Sequence, residues 1–182
     1  LSPYLVEADL ETGVVTERLP LPEAATFPRV APDGDTVVAT LGEPLNTVGR
    51  GSLSRGTFGV WPLFDGYAFP VWSPDGRQLA LEKKEGAHMP MYLGEVATGT
   101  ARRVSPAIGQ FWPGAFSPDG RRVAISTLGD RGVWNIETLD PATGQGRYND
   151  TRAFRSAVGN IGSMGMQFHI VHHLYPLSLI HI

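Results

Sequence analysis

The chain contains no cysteine. Disulfides, thiolate metal sites and cysteine nucleophiles are therefore excluded, while the redox compartment is left open. Charge is sparse as well: 18% of the residues are charged and the net charge is -3. A nucleic-acid or membrane-surface electrostatic footprint needs a basic patch, and none is present. No apolar run reaches the roughly 18–20 residues required of a spanning helix. No secretory leader is visible from Leu1 onward, which leaves the compartment undetermined. Ser54, Ser73 and Ser117 lie in no nucleophile-elbow pattern, and no glycine-rich phosphate loop occurs.

What the chain does have is turns. Glycine (22) and proline (15) are abundant in 182 residues, and they fall at regular places. Phe69-Pro70-Val71-Trp72-Ser73-Pro74-Asp75-Gly76 has an upstream counterpart in Phe27-Pro28-Arg29-Val30-Ala31-Pro32-Asp33-Gly34. Its downstream counterpart is Trp112-Pro113-Gly114-Ala115-Phe116-Ser117-Pro118-Asp119-Gly120. The three turn glycines are 42 and 44 residues apart, a period that signals a repeat architecture. A second landmark ends in Gly13, Gly99 and Gly144, each with an acidic residue four positions earlier (Asp9, Glu95, Asp140). The member due at Gly56 has Ser52 in place of the acid. The two landmarks keep nearly constant phase, 22 to 24 residues apart.

Each unit has a physical reading. Ser-Pro-Asp-Gly suits a type I turn, with proline presetting φ at the second position. Pro32, Asp33 and Gly34, then Pro74, Asp75 and Gly76, then Pro118, Asp119 and Gly120, are expected to be structural turn residues, because the aspartates repeat identically. Behind each turn, Val37, Leu79 and Val123, then Ala39, Leu81 and Ile125, alternate with Val38, Ala80 and Ala124. Both faces are apolar, as in a strand covered on both sides by neighbouring sheets. Four antiparallel strands in about 43 residues is the size of one propeller blade. Trp61, Trp72, Trp112 and Phe116 are expected to pack between blades, and His88 is expected to be solvated and alone.

These turns, with the Arg-x-Val/Leu-Ala-Ile/Leu strand and the Asp-x-x-Thr-Gly turn, resemble the WD-repeat-like blades of TolB-type propellers over residues 1–148. Related blades occur in the propellers of prolyl-oligopeptidase-like peptidases. The resemblance implies an all-β fold, an incomplete propeller of about three and a half four-stranded blades. Residues 4–20 supply the last two strands of one blade. Residues 27–62, 69–105 and 112–148 supply three more, the last short of its fourth strand. Propellers close with about four to eight blades, so the expectation is a fragment of a longer chain, with the remaining blades missing. By the same resemblance the parent propeller binds a protein partner, uses no cofactor, carries no catalytic residue of its own and is periplasmic or extracytoplasmic.

The repeat stops after Gly144. Four of the five histidines lie beyond it. His169, His172 and His173 form an HxxHH cluster followed by Leu174 and Pro176. Residues 149–176, a segment that could be helical, resemble the last histidine box of membrane fatty acid desaturases and of carotenoid hydroxylases or ketolases. That resemblance implies iron as the cofactor, His169, His172 and His173 as its ligands, oxidoreductase chemistry on lipids and a membrane location. The two earlier histidine boxes and spanning helices of those enzymes have no counterpart, so three histidines alone do not complete a di-iron site. Residues 177–182, Leu-Ser-Leu-Ile-His-Ile, are what CTG-TCT-CTT-ATA-CAC-ATC translates to, which resembles a transposon-derived sequencing adapter. The expectation is a chimeric reading frame with a junction near residue 148. The principal reading is a propeller scaffold fragment without catalysis. The alternatives are a desaturase-type remnant carried by the tail and the propeller of a peptidase.

Overall fold

The computed structural model describes residues 4–42, 46–128 and 134–147. The strands are β1 (Tyr4–Ala8), β2 (Val15–Pro20), β3 (Ala25–Val30), β4 (Thr36–Leu41), β5 (Thr47–Ser52) and β6 (Thr57–Val60). They continue with β7 (Tyr67–Trp72), β8 (Gln78–Lys83), β9 (Met91–Glu95), β10 (Ala101–Arg103), β11 (Phe111–Phe116), β12 (Val123–Leu128), β13 (Trp134–Leu139) and β14 (Gly146–Arg147). One 3₁₀ turn, Pro62–Phe64, links β6 to β7.

Four antiparallel sheets result. The pair β1-β2 is a half-blade. Blade 1 is β3-β4-β5-β6, blade 2 is β7-β8-β9-β10 and blade 3 is β11-β12-β13-β14. Every blade is a meander in chain order. The expectation that the last blade stops short of its fourth strand is corrected. Gly146 and Arg147 pair with Leu139 and Thr138 as a two-residue β14. The architecture is an all-β, incomplete propeller.

The sequence dictates how the blades stack. Val37, Val38 and Ala39 are fully buried on β4, as are Leu79, Ala80 and Leu81 on β8. Alternation along these strands sends successive side chains to opposite faces. Val37 therefore joins Leu19 and Leu21 of the half-blade, while Val38 joins Leu79 and Leu81 of blade 2 together with Val48, Trp61 and Phe64. Ala80 faces the other way, with Val71, Met91, Leu93 and Val104, onto Val123, Ile125 and Leu139 of blade 3. Each hydrophobic cluster thus fills a seam between two sheets. A fully buried leucine or valine contributes about 1.5–3 kcal/mol by leaving water, so these seams hold the arc together.

The expected turns have a common geometry. Gly34, Gly76 and Gly120 donate their N–H to the carbonyls of Ala31, Ser73 and Ser117 at 3.0, 3.0 and 2.9 Å. All three glycines are left-handed, with φ of 72, 69 and 70°, which a side chain would disfavour. Gly13, Gly99 and Gly144 each donate to the carbonyl of the acidic residue four positions back, at 2.8 Å. In the degenerate copy Gly56 reaches Leu53 instead, at 3.4 Å. There Asp35 holds the loop by accepting the Ser52 hydroxyl and the Ser54 amide, each at 2.7 Å.

Candidate functional site

The first strands of neighbouring blades touch, β3 with β7 and β7 with β11, and each meander runs outward from them. These strands therefore form the inner rim of the arc. All three carry a bulge, between Thr26 and Arg29, Ala68 and Val71, and Pro113 and Ala115. Phe27 and Phe69 sit in the first two bulges with φ of 53 and 52°. Bulky residues in the left-handed region carry backbone strain, which tends to persist where a surface is used.

The strained rings belong to a row. Phe27 and Phe69 have centroids 4.8 Å apart; Phe69 and Trp112 stack at 6.0 Å and 15°; Trp112 and Trp134 lie 4.6 Å apart. Phe27 is 51% exposed and Trp112 39% exposed, so the row offers ring faces to solvent. Trp112 does pack between blades, against Phe69 of blade 2, while remaining partly open to solvent. Trp61 and Phe116 do pack against seam clusters, and Trp72 packs there while donating its indole N–H to the Arg29 carbonyl at 3.4 Å. Arg29 lies at the bulge beside Phe27. Its guanidinium donates to the Pro28 carbonyl at 3.3 Å, and among the described residues no carboxylate pairs with it.

His88 also departs from expectation. It is half-buried, and its Nδ1 accepts the Gly109 N–H at 3.3 Å, tying the β8–β9 loop to the approach to β11. The turn aspartates are exposed and held below the usual carboxylate range. The Thr36 and Asp35 amides do this for Asp33, and the serine hydroxyls with the Arg77 and Arg121 amides do it for Asp75 and Asp119. They are engaged in their own turns rather than aimed at a shared point.

Sequence reasoning missed Glu82. This carboxylate is 4% exposed, its Oε2 has no hydrogen-bond partner, and desolvation pushes it up to about 7. The signal was a charged residue in the place of Thr40 and Ser126, six positions past each turn glycine.

A polar concavity of about 240 Å³, lined by Arg121, Arg122, Thr138, Asp140 and Gln145, lies beside the blade 3 turns. Among the described residues no three His, Asp or Glu side chains are placed to hold a metal, and no helix is long and apolar enough to cross a membrane. His169, His172 and His173 lie outside the described residues.

No family model matches the chain. The Tol-Pal system protein TolB of Francisella tularensis subsp. holarctica (strain OSU18) is 37% identical over 77 residues, 42% of this chain and 18% of that protein. The crystal structure of TolB from Acinetobacter baumannii superposes with a TM-score of 0.69 at 19% identity, over 80% of this chain and 37% of that one. The blades are TolB-like. A prolyl endopeptidase structure has the same fold at a TM-score of 0.56 and 15% identity, over 80% of this chain and 26% of that one. The TolB-like stretch spans under a fifth of the length of the curated relative it matches.

Proposed function

We propose that this chain is part of a TolB-like propeller that binds a protein partner along its inner rim and performs no catalysis. The observation that carries the reading is the row of Phe27, Phe69, Trp112 and Trp134, laid across three blades and partly open to solvent. Aromatic anchors beside a cation are what a protein interface uses, and Arg29 supplies a charge for a partner's carboxylate. By likeness to the TolB proteins, the partner is a component of the Tol-Pal system and the compartment is periplasmic.

The test is titration of the full chain with purified Pal, followed by tryptophan emission and calorimetry. Saturable binding that weakens about tenfold or more in Trp112→Ala supports the rim. Binding unaffected by Phe27→Ala, Phe69→Ala and Trp112→Ala would sink it.

The histidine-box reading of residues 149–176 is a separate proposal, with iron on His169, His172 and His173. Iron near zero per chain after reconstitution would remove it.

A further inference from the structure

The seam between blades 2 and 3 differs from its neighbour by one missing donor. Between blades 1 and 2, Thr40 Oγ1 accepts the Phe69 N–H at 2.8 Å. Strand register places Glu82 in Thr40's position, since Thr40 pairs with Thr26 and Glu82 with Ala68. Phe69 follows Ala68 in blade 2. Its counterpart in blade 3 follows Trp112, which pairs with Ser126, and that counterpart is Pro113. Proline has no N–H. The longer Glu82 side chain therefore stands where its neighbour finds a donor, and finds none. This accounts for a buried carboxyl with an unpartnered oxygen. An uncompensated buried carboxylate is costly, and a neutral acid is the form such a site accepts.

The charged and titratable groups around the seam are engaged elsewhere. On β7 and β8, Lys83 lies over the Tyr67 ring at 5.0 Å. On β9, Tyr92 donates to Glu85, and Glu95 accepts from Gln78. On β10, Arg102 donates to the Pro141 carbonyl and Arg103 pairs with Glu85 at 3.7 Å. His88 takes the Gly109 amide, and Glu137 of β13 accepts from Thr127 of β12. β11 carries no titratable side chain.

We propose that Glu82 is a proton-operated latch on the seam between blades 2 and 3, closed while the carboxyl is neutral and loosened when it ionises. The Phe69–Trp112 stack crosses the same seam, so ionisation acts on the inner rim as well. Its burial, which holds the acid up to about 7, places the switch near neutrality.

The test combines carboxyl-carbon NMR of Glu82 in the full chain with hydrogen exchange of the β8 and β9 amides between about pH 5.5 and 8, a window that brackets a raised glutamate. The wild-type carboxyl is expected to titrate well above the usual glutamate range. After correction for intrinsic rates, seam protection is expected to fall about tenfold more in wild type than in Glu82→Gln. Glu82→Thr, which installs the residue used by blade 1, serves if the glutamine variant does not fold. His88→Gln is expected to retain the wild-type fall. An ordinary glutamate titration, or the same fall in the Glu82 variants, would overturn the proposal.

Discussion

Ser73 donates its hydroxyl to Asp75 Oδ1 at 2.7 Å while accepting the Gln78 amide at 2.9 Å. Ser117 and Asp119 repeat the arrangement around Arg122. In blade 1 the serine is Ala31, and Asp33 itself accepts the equivalent Thr36 amide, at 2.8 Å. The aspartate takes over the work of the absent hydroxyl. Ser73→Ala is therefore expected to cost under about 1 kcal/mol, because Asp75 can turn to the Gln78 amide. Asp33→Ala has no substitute and is expected to give the lower urea midpoint of the two. The reverse order would refute this account.

The acid side of the stability profile follows from the turns. Asp9, Asp33, Asp35, Asp75 and Asp119 are all held below the ordinary aspartate value, chiefly by hydrogen bonds that their carboxylates accept. Groups depressed in this way stabilise the fold above their unfolded pKa, and that contribution is lost as pH falls through the folded one. Glu82 has the opposite sign. Its neutral form contributes fully below 4.5, and the benefit is lost as pH rises through about 7. The urea midpoint should peak on the mildly acidic side. Glu82→Gln should flatten the neutral limb and leave the acid limb unchanged.

Gly94 marks a point of close approach. A Cβ there would lie 2.4 Å from Phe64 Cε1 and 2.9 Å from Leu81 Cδ1. Gly94→Ala is expected to cost about 1–3 kcal/mol by overpacking the seam between blades 1 and 2. Gly59→Ala meets nothing within 4 Å and serves as the control. Equal losses in thermal denaturation would show that the seam yields more readily than its packing implies.

Phe27 separates binding from stability. Glycine adopts φ near 53° without the strain that phenylalanine bears, and half of the ring is already in water. Phe27→Gly is expected to change stability by less than about 1 kcal/mol while weakening the partner. A variant that binds as wild type would detach the aromatic row from recognition.

The blades were legible because turn chemistry and two-sided apolar strands recur at fixed phase. Val37, Leu79 and Val123 could be aligned on the turn glycines without any structure. The rim was less legible. Motif alignment matches Trp112-Pro113 with Phe69-Pro70, whereas strand pairing puts Pro113 in the place of Phe69. A shift of one residue decides which groups face a seam. Pairing reveals it, and so does counting seven residues back from Gly76 and Gly120 rather than matching the aromatic-proline pairs. His88 read as solvated because its acceptor role depends on Gly109, a partner 21 residues away.

The clusters of buried side chains lie between sheets rather than inside them. The unit copied in the sequence and the unit that stores cohesion are therefore out of phase. A duplicated blade arrives with two half-interfaces, each useful only against a compatible neighbour. Divergence of this chain is then constrained pairwise, so that a change on β4 must be answered on β8 and one on β8 must be answered on β12.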